Sequence, residues 1–165
     1  MRLSFMIGWV LLATAPLPAQ QLPPPAHQEH STMAVARGTF EVKMGSLPSD
    51  EFADAAQIGR MSIDKTLHGD IEGSSKGMML ATGSPTSGSA GYVAIERVTG
   101  TLQGKRGAFA LQHSAWMAGG EQGLTITVVP GSGTEELAGL QGTFLIIITG
   151  KDHAYEFTYS LPDAR

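Results

Sequence analysis

Two pairs of short apolar segments, each punctuated by glycine, lie between Gly91 and Gly142 and constrain the fold more than any other feature. The first pair reads GYVAIERVTGTLQGKRGAFALQHS, and the second reads LTITVVPGSGTEELAGLQG. Both are rich in β-branched and aromatic residues, and glycines stand where the segments end. Such runs separated by turn residues are typical of consecutive antiparallel strands. The sequence therefore predicts a β-meander in this region.

The same period-two alternation of apolar and polar residues recurs along the chain from Ala34 onwards. Counting every such run gives about eight strands, and their short glycine-bearing connections favour antiparallel neighbours. A sheet of this kind usually closes on itself, which removes its exposed edges. We therefore predict an all-β fold, a closed antiparallel meander barrel of about eight strands, with a β-sandwich as the rival. The predicted inward-facing sets include Phe40 with Val42, Met61 with Ile63, Phe109 with Leu111, Leu124 with Ile126, and Tyr155 with Phe157.

Three segments depart from simple alternation. Short helical turns are predicted at 49–57 and 134–140, and Thr134 is suited to cap the second. The segment 143–149, TFLIIIT, is apolar on both faces. Because an antiparallel strand commonly leaves one face to solvent, we predict that a terminus, a loop or a partner chain covers this strand.

The N-terminal residues have the pattern of a secretory signal peptide. Arg2 precedes an apolar run from Leu3 to Ala15, and Ala19 stands before a polar residue. The run is shorter than the roughly 20 residues that span a bilayer. We predict a signal peptide at 1–19, a proline-containing tether at 20–33 and a barrel domain at 34–162. The protein is then secreted or periplasmic and leaves the membrane after cleavage, with an uncleaved anchor as the alternative.

Composition excludes several classes of function. The formal net charge is −4, only 16% of residues are charged, and no basic stripe is present, which argues against nucleic-acid binding. The absence of cysteine excludes disulfides and thiolate chemistry. No cofactor is indicated and no metal site is predicted, because His27, Glu29 and His30 lie in the tether without a fixed further ligand.

Glu96 and His113 are the candidate catalytic pair. His113 is in phase with Leu111, so it is predicted to face inward. A turn with an even number of residues after Leu102 would place Glu96 on the same face, within reach of His113. A carboxylate beside an imidazole is a plausible acid–base pair. The alternative is a buried polar network that satisfies itself and fixes the strand register.

Four further residues are candidates for ligand binding. Lys65 is in phase with the predicted inner face of its strand and could join Glu96. Arg97 would turn inward in place of Glu96 if the turn after Leu102 had an odd number of residues. Tyr92 and Tyr155 stand at aromatic inner positions, where they either contact a ligand or pack in the core and rim.

Five segments of this chain resemble a bacterial family known as domain of unknown function 3224. The resemblance spans roughly Ala34 to Leu161. It implies a barrel of the allene-oxide-cyclase type, a closed eight-stranded antiparallel barrel whose architecture plant dirigent proteins share. It implies no catalytic residues, because the family has no established reaction. The segments are GTFEVK (38–43), HGDIEG (68–73), YVAIERVTGTLQG (92–104), GAFALQHS (107–114) and TVVPGSGTEELAGLQG (127–142).

Three functions are compatible with these observations. We favour an exported barrel that holds a small apolar or amphipathic molecule, because the predicted barrel is closed and poor in charge. The second is an isomerase- or cyclase-like enzyme that uses Glu96 and His113. The third is a non-catalytic homo-oligomer with the strand at 143–149 in its interface. The sequence leaves open whether the protein is an enzyme.

Overall fold

The computed structural model describes residues 33–84 and 88–162, which form one closed antiparallel barrel with its strands in chain order. The last strand pairs with the first and completes the barrel. The predicted all-β meander barrel is therefore confirmed. The predicted signal peptide at 1–19, and the tether at 20–33 except for its last residue, lie outside the described residues. The strands are β1 (Met33–Ser46), β2 (Gly59–Gly69), β3 (Ile71–Ser84), β4 (Ser89–Leu102), β5 (Lys105–Ala118), β6 (Glu121–Val128), β7 (Gln141–Thr149) and β8 (Asp152–Ser160).

One end of the barrel, called here the closed end, is packed solid. Its core is aromatic: the rings of Phe109 and Phe157 stack at a centroid distance of 5.7 Å, and those of Phe144 and Tyr155 at 5.1 Å. The loop between β6 and β7 adds Leu137 and Leu140, which are fully buried against this core. The inward-facing aromatic residues and this loop fill the interior of the closed end.

The two predicted helical turns are both present but short. The first is helix α1 (Glu51–Ala56), where the Asp50 carboxylate accepts a hydrogen bond from the Ala53 N–H at 3.0 Å. The second is a single 3₁₀ turn with Thr134 at its N-cap position, but the Thr134 side chain makes no capping hydrogen bond to it. Instead, the Thr134 hydroxyl accepts a hydrogen bond from the Ala108 N–H at 3.0 Å and ties the loop to β5. Within 33–84 and 88–162, no helix has the length and apolar character needed to cross a bilayer.

The turn between β4 and β5 decides which side chains enter the barrel. Leu102 pairs with Lys105, so the turn consists of Gln103 and Gly104, both with positive φ, at 47° and 83°. Two positive φ values are the signature of a type I′ hairpin turn. Because the turn has two residues, Glu96 on β4 pairs with the inward-facing Leu111 on β5, and Glu96 therefore faces inward as well.

The barrel is splayed at one seam. Over the described strands, β6 and β7 pair at a single position, Thr127 opposite Thr143, whereas β7 and β8 pair along the whole of β7. Beyond that position the two strands diverge towards the end opposite the closed end, which we call the mouth. The outward-facing Leu145 and Ile147 are exposed, so the described residues do not supply the cover predicted for 143–149.

Candidate functional site

Four buried polar side chains lie together on the inner face of β2 to β5, and we call them the polar cluster. They are Lys65, Ser75, Glu96 and His113, and none is more than 5% exposed. Lys65 pairs directly with Ser75 across β2 and β3. Glu96 and His113 are diagonal neighbours across β4 and β5, because His113 pairs with Ala94. Register and alternation alone therefore bring these residues together.

Glu96 is the centre of the polar cluster. Lys65 Nζ donates to Glu96 Oε2 at 2.7 Å, and the Ser75 hydroxyl donates to Oε1. His113 Nε2 lies 3.2 Å from Oε2, but it is not aligned for a hydrogen bond. Among the residues that the structure describes, Nε2 is the buried side-chain nitrogen or oxygen left without a hydrogen-bond partner. Such an atom inside a protein requires an explanation, since leaving it unpaired is costly.

The surroundings of the polar cluster fit the charges it contains. Lys65 Nζ lies 4.9 Å from the centroid of the Phe40 ring, a cation–π distance.

Gly77 pairs with Glu96 on the adjacent strand, and a Cβ there would lie 2.6 Å from the Ile95 carbonyl oxygen and 3.0 Å from Glu96 Cα. Only glycine at this position lets β3 pass so close to the Glu96 backbone.

The balance of forces on Glu96 keeps it ionised. Burial alone would raise its pKa, but the His113 imidazole, the Lys65 ammonium and the Ser75 hydroxyl outweigh burial and lower the pKa from 4.5 to about 2. A carboxylate with this pKa is a weak base and is not protonated near neutral pH. Glu96 is thus a negative charge inside the barrel at neutral pH.

A cavity of about 480 Å³ lies at the mouth, next to the seam between β6 and β7. Its wall is largely apolar, and neither Glu96 nor His113 contributes to it. Tyr92 connects the two sites: it lines the cavity, and its pKa is raised by burial and then by the negative charge of Glu96. The lining residues include Ala81, Tyr92, Ala115, Trp116, Met117, Leu124, Phe144, Ile146 and Ile148.

The structure separates the four residues predicted to bind a ligand. Lys65 belongs to the polar cluster and Tyr92 to the cavity. Arg97 faces outward and is exposed, because the even turn after β4 turns Glu96 inward. Tyr155 is sealed in the closed end, where its hydroxyl accepts from the Ile71 N–H at 2.8 Å and donates to the His68 carbonyl. The structure therefore does not bring Arg97 or Tyr155 to the candidate site.

Sequence reasoning missed Ser75, which completes the polar cluster. Ser75 lies in the segment EGSSKGMML, where glycine and serine hide the alternation of faces. The available signal is its pairing with Lys65, which becomes visible only when the register of β2 against β3 is known. No group of three His, Cys, Asp or Glu side chains within the described ranges is placed to hold a metal ion.

Comparison with known proteins identifies the family but no activity. A search among curated proteins found no match. The chain is similar to a solved structure, a protein of unknown function from the DUF3224 family of Shewanella oneidensis MR-1, at 42% identity and a TM-score of 0.73. That match covers 81% of this chain and 100% of the other. Residues 36–159 match the family model described as protein of unknown function (DUF3224), and the chain belongs to this family.

Proposed function

We propose that this protein is an exported barrel that binds a small apolar or amphipathic molecule in the mouth cavity. The observation that carries the proposal is the cavity itself. Its volume of about 480 Å³ falls within the range of roughly 300–1,000 Å³ that is usual for small-molecule sites. Its walls combine aliphatic and aromatic side chains with few polar groups, as such sites do.

Exposure of residues on the inner face supports the same proposal. Met117, Leu124 and Ile148 have the inward phase of their strands, yet they are 49%, 45% and 64% exposed at the mouth. Covering apolar surface is favourable by roughly 25 cal/mol per Å². A bound apolar molecule would supply the contacts that these side chains lack. Met117 can also adjust its shape to different ligands, because methionine is flexible and polarisable.

The fluorescence of Trp116 provides a direct binding assay. Trp116 lines the cavity, and the other tryptophan, Trp9, lies in the predicted signal peptide. We expect alkyl alcohols, esters and lipid-like aromatic molecules to change the emission of the processed protein in a saturable way. Ala115→Leu, inside the cavity, should weaken binding by tenfold or more, on the order of 1.4 kcal/mol.

The matched control for the cavity variant is Ser114→Leu. Ser114 neighbours Ala115 on β5 but is exposed on the outer face, so the same isobutyl group is added outside the barrel. Binding to Ser114→Leu should equal binding to the unmodified protein. If no member of a broad apolar library changes the emission or the melting temperature, the binding proposal is wrong.

Export is part of the proposal and has its own experiment. The full chain is produced in a bacterium, and the processed protein is recovered from the periplasm or medium and weighed by intact mass spectrometry. We expect a mature chain that begins at Gln20. Recovery of the uncut chain from the cytoplasm would overturn this part and leave the binding proposal to its own assay.

Self-association is a second candidate, favoured by one outer patch. Met78 pairs with Ile95 and Leu80 with Val93, and all four are exposed apolar side chains on β3 and β4. Contiguous exposed apolar surface of this kind often marks an interface. Sedimentation across a concentration series, with Val93→Lys as the disrupting variant, decides the question. A monomer at every concentration would remove this candidate.

An isomerase- or cyclase-like activity receives less support from the geometry. The comparison with allene-oxide-cyclase barrels remains an analogy of architecture, and architecture does not determine function. Glu96 and His113 are close, but neither lines the cavity and Glu96 is ionised at neutral pH. Turnover of any apolar substrate that is lost in both Glu96→Gln and His113→Gln would restore this alternative.

A further inference from the structure

We infer that the cavity passes through the barrel wall at the seam between β6 and β7, and that its ligand is a single-chain amphiphile. The apolar chain lies in the cavity, and the polar end emerges sideways through the seam and not through the mouth. This inference rests on the proposed binding function and names the class and orientation of the ligand. Two features of the cavity support it: the order of the residues that line it, and the groups that border the seam.

Consecutive residues of β7 line the cavity. Successive side chains of a strand point to opposite faces of a sheet, so a cavity enclosed by a barrel contacts only alternate residues. Phe144 and Ile146 point inward and pack with the core, and Leu145 between them is exposed on the outer face. All three line the same cavity. The cavity therefore reaches around the edge of β7 from the inner face to the outer face.

The strand β6 also borders the cavity with both of its faces. Leu124 has the inward phase of β6, whereas Gly123 pairs with the outward-facing Trp116. Both Leu124 and Gly123 line the cavity. A Cβ at Gly123 would lie 2.5 Å from Trp116 Nε1, so the indole ring lies directly against this glycine. The two strands beside the seam thus each contribute both faces to one cavity.

The passage lies below the rim of the mouth. Phe144 and Leu145 directly follow Thr143, the position at which β6 and β7 part. Leu145 is roughly 14 Å along the strand from Thr149, where β7 ends at the mouth. A cavity that curled over the rim would contact both faces of β7 only near Thr149. The missing ladder beside Leu145 therefore provides the opening.

The groups at the seam suit a polar end, and those at the mouth do not. The facing edges of β6 and β7 lack ladder partners over most of their length, so they offer backbone N–H and C=O groups to a ligand. The half-exposed Trp116 suits a boundary between apolar surface and water, because an indole has an apolar body and a polar N–H. At the mouth, Met117 and Ile148 are exposed apolar side chains, which an alkyl chain would cover.

The experiment locates the polar end with a decanoate ester whose head group is an uncharged nitroxide spin label. Its binding to the processed protein is measured by competition with a fluorescent apolar probe. NMR signals are then recorded with the nitroxide intact and after its reduction by ascorbate, which is the diamagnetic control. We expect the strongest line broadening at Trp116 and Leu145. Broadening should be weaker at Gly120 and Gly150, in the turns at the mouth.

A reversible crosslink tests the seam as the passage. Thr125 and Leu145 are the next outward-facing residues beyond the paired position of β6 and β7, and the chain has no cysteine of its own. Thr125→Cys with Leu145→Cys, oxidised to a disulfide, should slow association of the ester by roughly tenfold or more, and reduction should restore the rate. The matched control is Val93→Cys with Ser114→Cys, a directly paired outer position on β4 and β5. Oxidation of the control should leave the rate unchanged.

The possible outcomes separate this inference from the function beneath it. If neither the apolar library nor the ester binds, the proposed cavity function has failed. If the library binds and the ester does not, the class of ligand inferred here is wrong. If the ester binds and broadens Gly120 and Gly150 most, or if the oxidised seam leaves its association rate unchanged, the ligand uses the mouth and the orientation is wrong. If the crosslink does not form, the NMR comparison in the unmodified protein decides alone.

Discussion

At the scale of single residues, the Glu96–Lys65 pair is the most sensitive point of the barrel. Both side chains are buried, and their charges are 2.7 Å apart. Glu96→Gln would leave the Lys65 ammonium inside the protein without a counter-charge. Removing one partner of a buried pair typically costs roughly 3–5 kcal/mol, and we expect a loss of that size in the free energy of unfolding, measured with urea.

The controls for Glu96→Gln are one exposed pair and one double variant. Glu156→Gln breaks the solvent-exposed ion pair with Arg37 and should cost about 1 kcal/mol or less. Lys65→Met combined with Glu96→Gln removes both charges and should regain much of the lost stability. A Glu96→Gln variant as stable as the unmodified protein would show that the pair is not buried in solution.

Gly77 is a second sensitive residue, because its neighbours leave no space for a side chain. In Gly77→Ala the added methyl group would meet the Ile95 carbonyl oxygen at 2.6 Å, and backbone would have to move. We expect a loss of roughly 1–3 kcal/mol in urea unfolding. Gly59→Ala is the matched control, since its Cβ would meet Ala81 at an ordinary 3.6 Å. Equal stability of the two variants would contradict the close approach.

Part of the candidate site was predictable from the sequence alone. The alternation of β5 places His113 inward, and an even turn then places Glu96 on the same face. The sequence could not choose between Glu96 and Arg97, because that choice depends on the number of turn residues. The turn proves to be Gln103 and Gly104. The role of Ser75 needed the register between β2 and β3, which local patterns do not specify.

At the scale of elements, the seam between β6 and β7 is the weak join of the barrel. The facing edges of 121–126 and 144–149 lack the ladder pairing that the other neighbouring strands have over the described chain. We expect amides on these two edges to exchange with solvent far faster than those shared by β4 and β5, as measured by NMR. A saturating cavity ligand should slow this exchange. Uniform protection across all strands would show that the seam is closed in solution.

The strands were predictable as elements because each has a clear period of two. Their pairing was less predictable where the connection is long. The stretch from 129 to 140 turns inward with Leu137 and Leu140 at the closed end, and it sets where β7 starts against β6. Nothing in the apolar run 143–149 reveals that its neighbour diverges after Thr143. The seam and the cavity beside it thus depend on tertiary packing.

At the scale of the whole molecule, the barrel is divided into two ends by the polar cluster. The aromatic core fills the closed end, and a smaller apolar group around Ile63, Met79 and Ala94 lies towards the mouth. A solid end holds the strands in register, while the splayed end contains the cavity. The polar cluster lies between these two parts and links β2, β3 and β5 to Glu96 on β4.

The buried charge of Glu96 predicts how the stability of the whole barrel responds to acid. The pKa of Glu96 is about 2 in the folded protein and 4.5 in the absence of its neighbours. A carboxyl group whose folded pKa is depressed stabilises the fold fully above its unfolded pKa and loses that contribution as pH falls through the folded value. The contribution of Glu96 should therefore decline from about pH 4.5 to about pH 2 by roughly 3 kcal/mol.

Other carboxylates titrate in the same range, so the measurement is a difference between two proteins. Urea unfolding is followed from neutral pH downwards for the unmodified chain and for Lys65→Met with Glu96→Gln, which has no charge at either position. The unmodified protein should lose more stability than the double variant, by about the amount assigned to Glu96. Parallel losses would mean that Glu96 is not held ionised by Lys65 and His113.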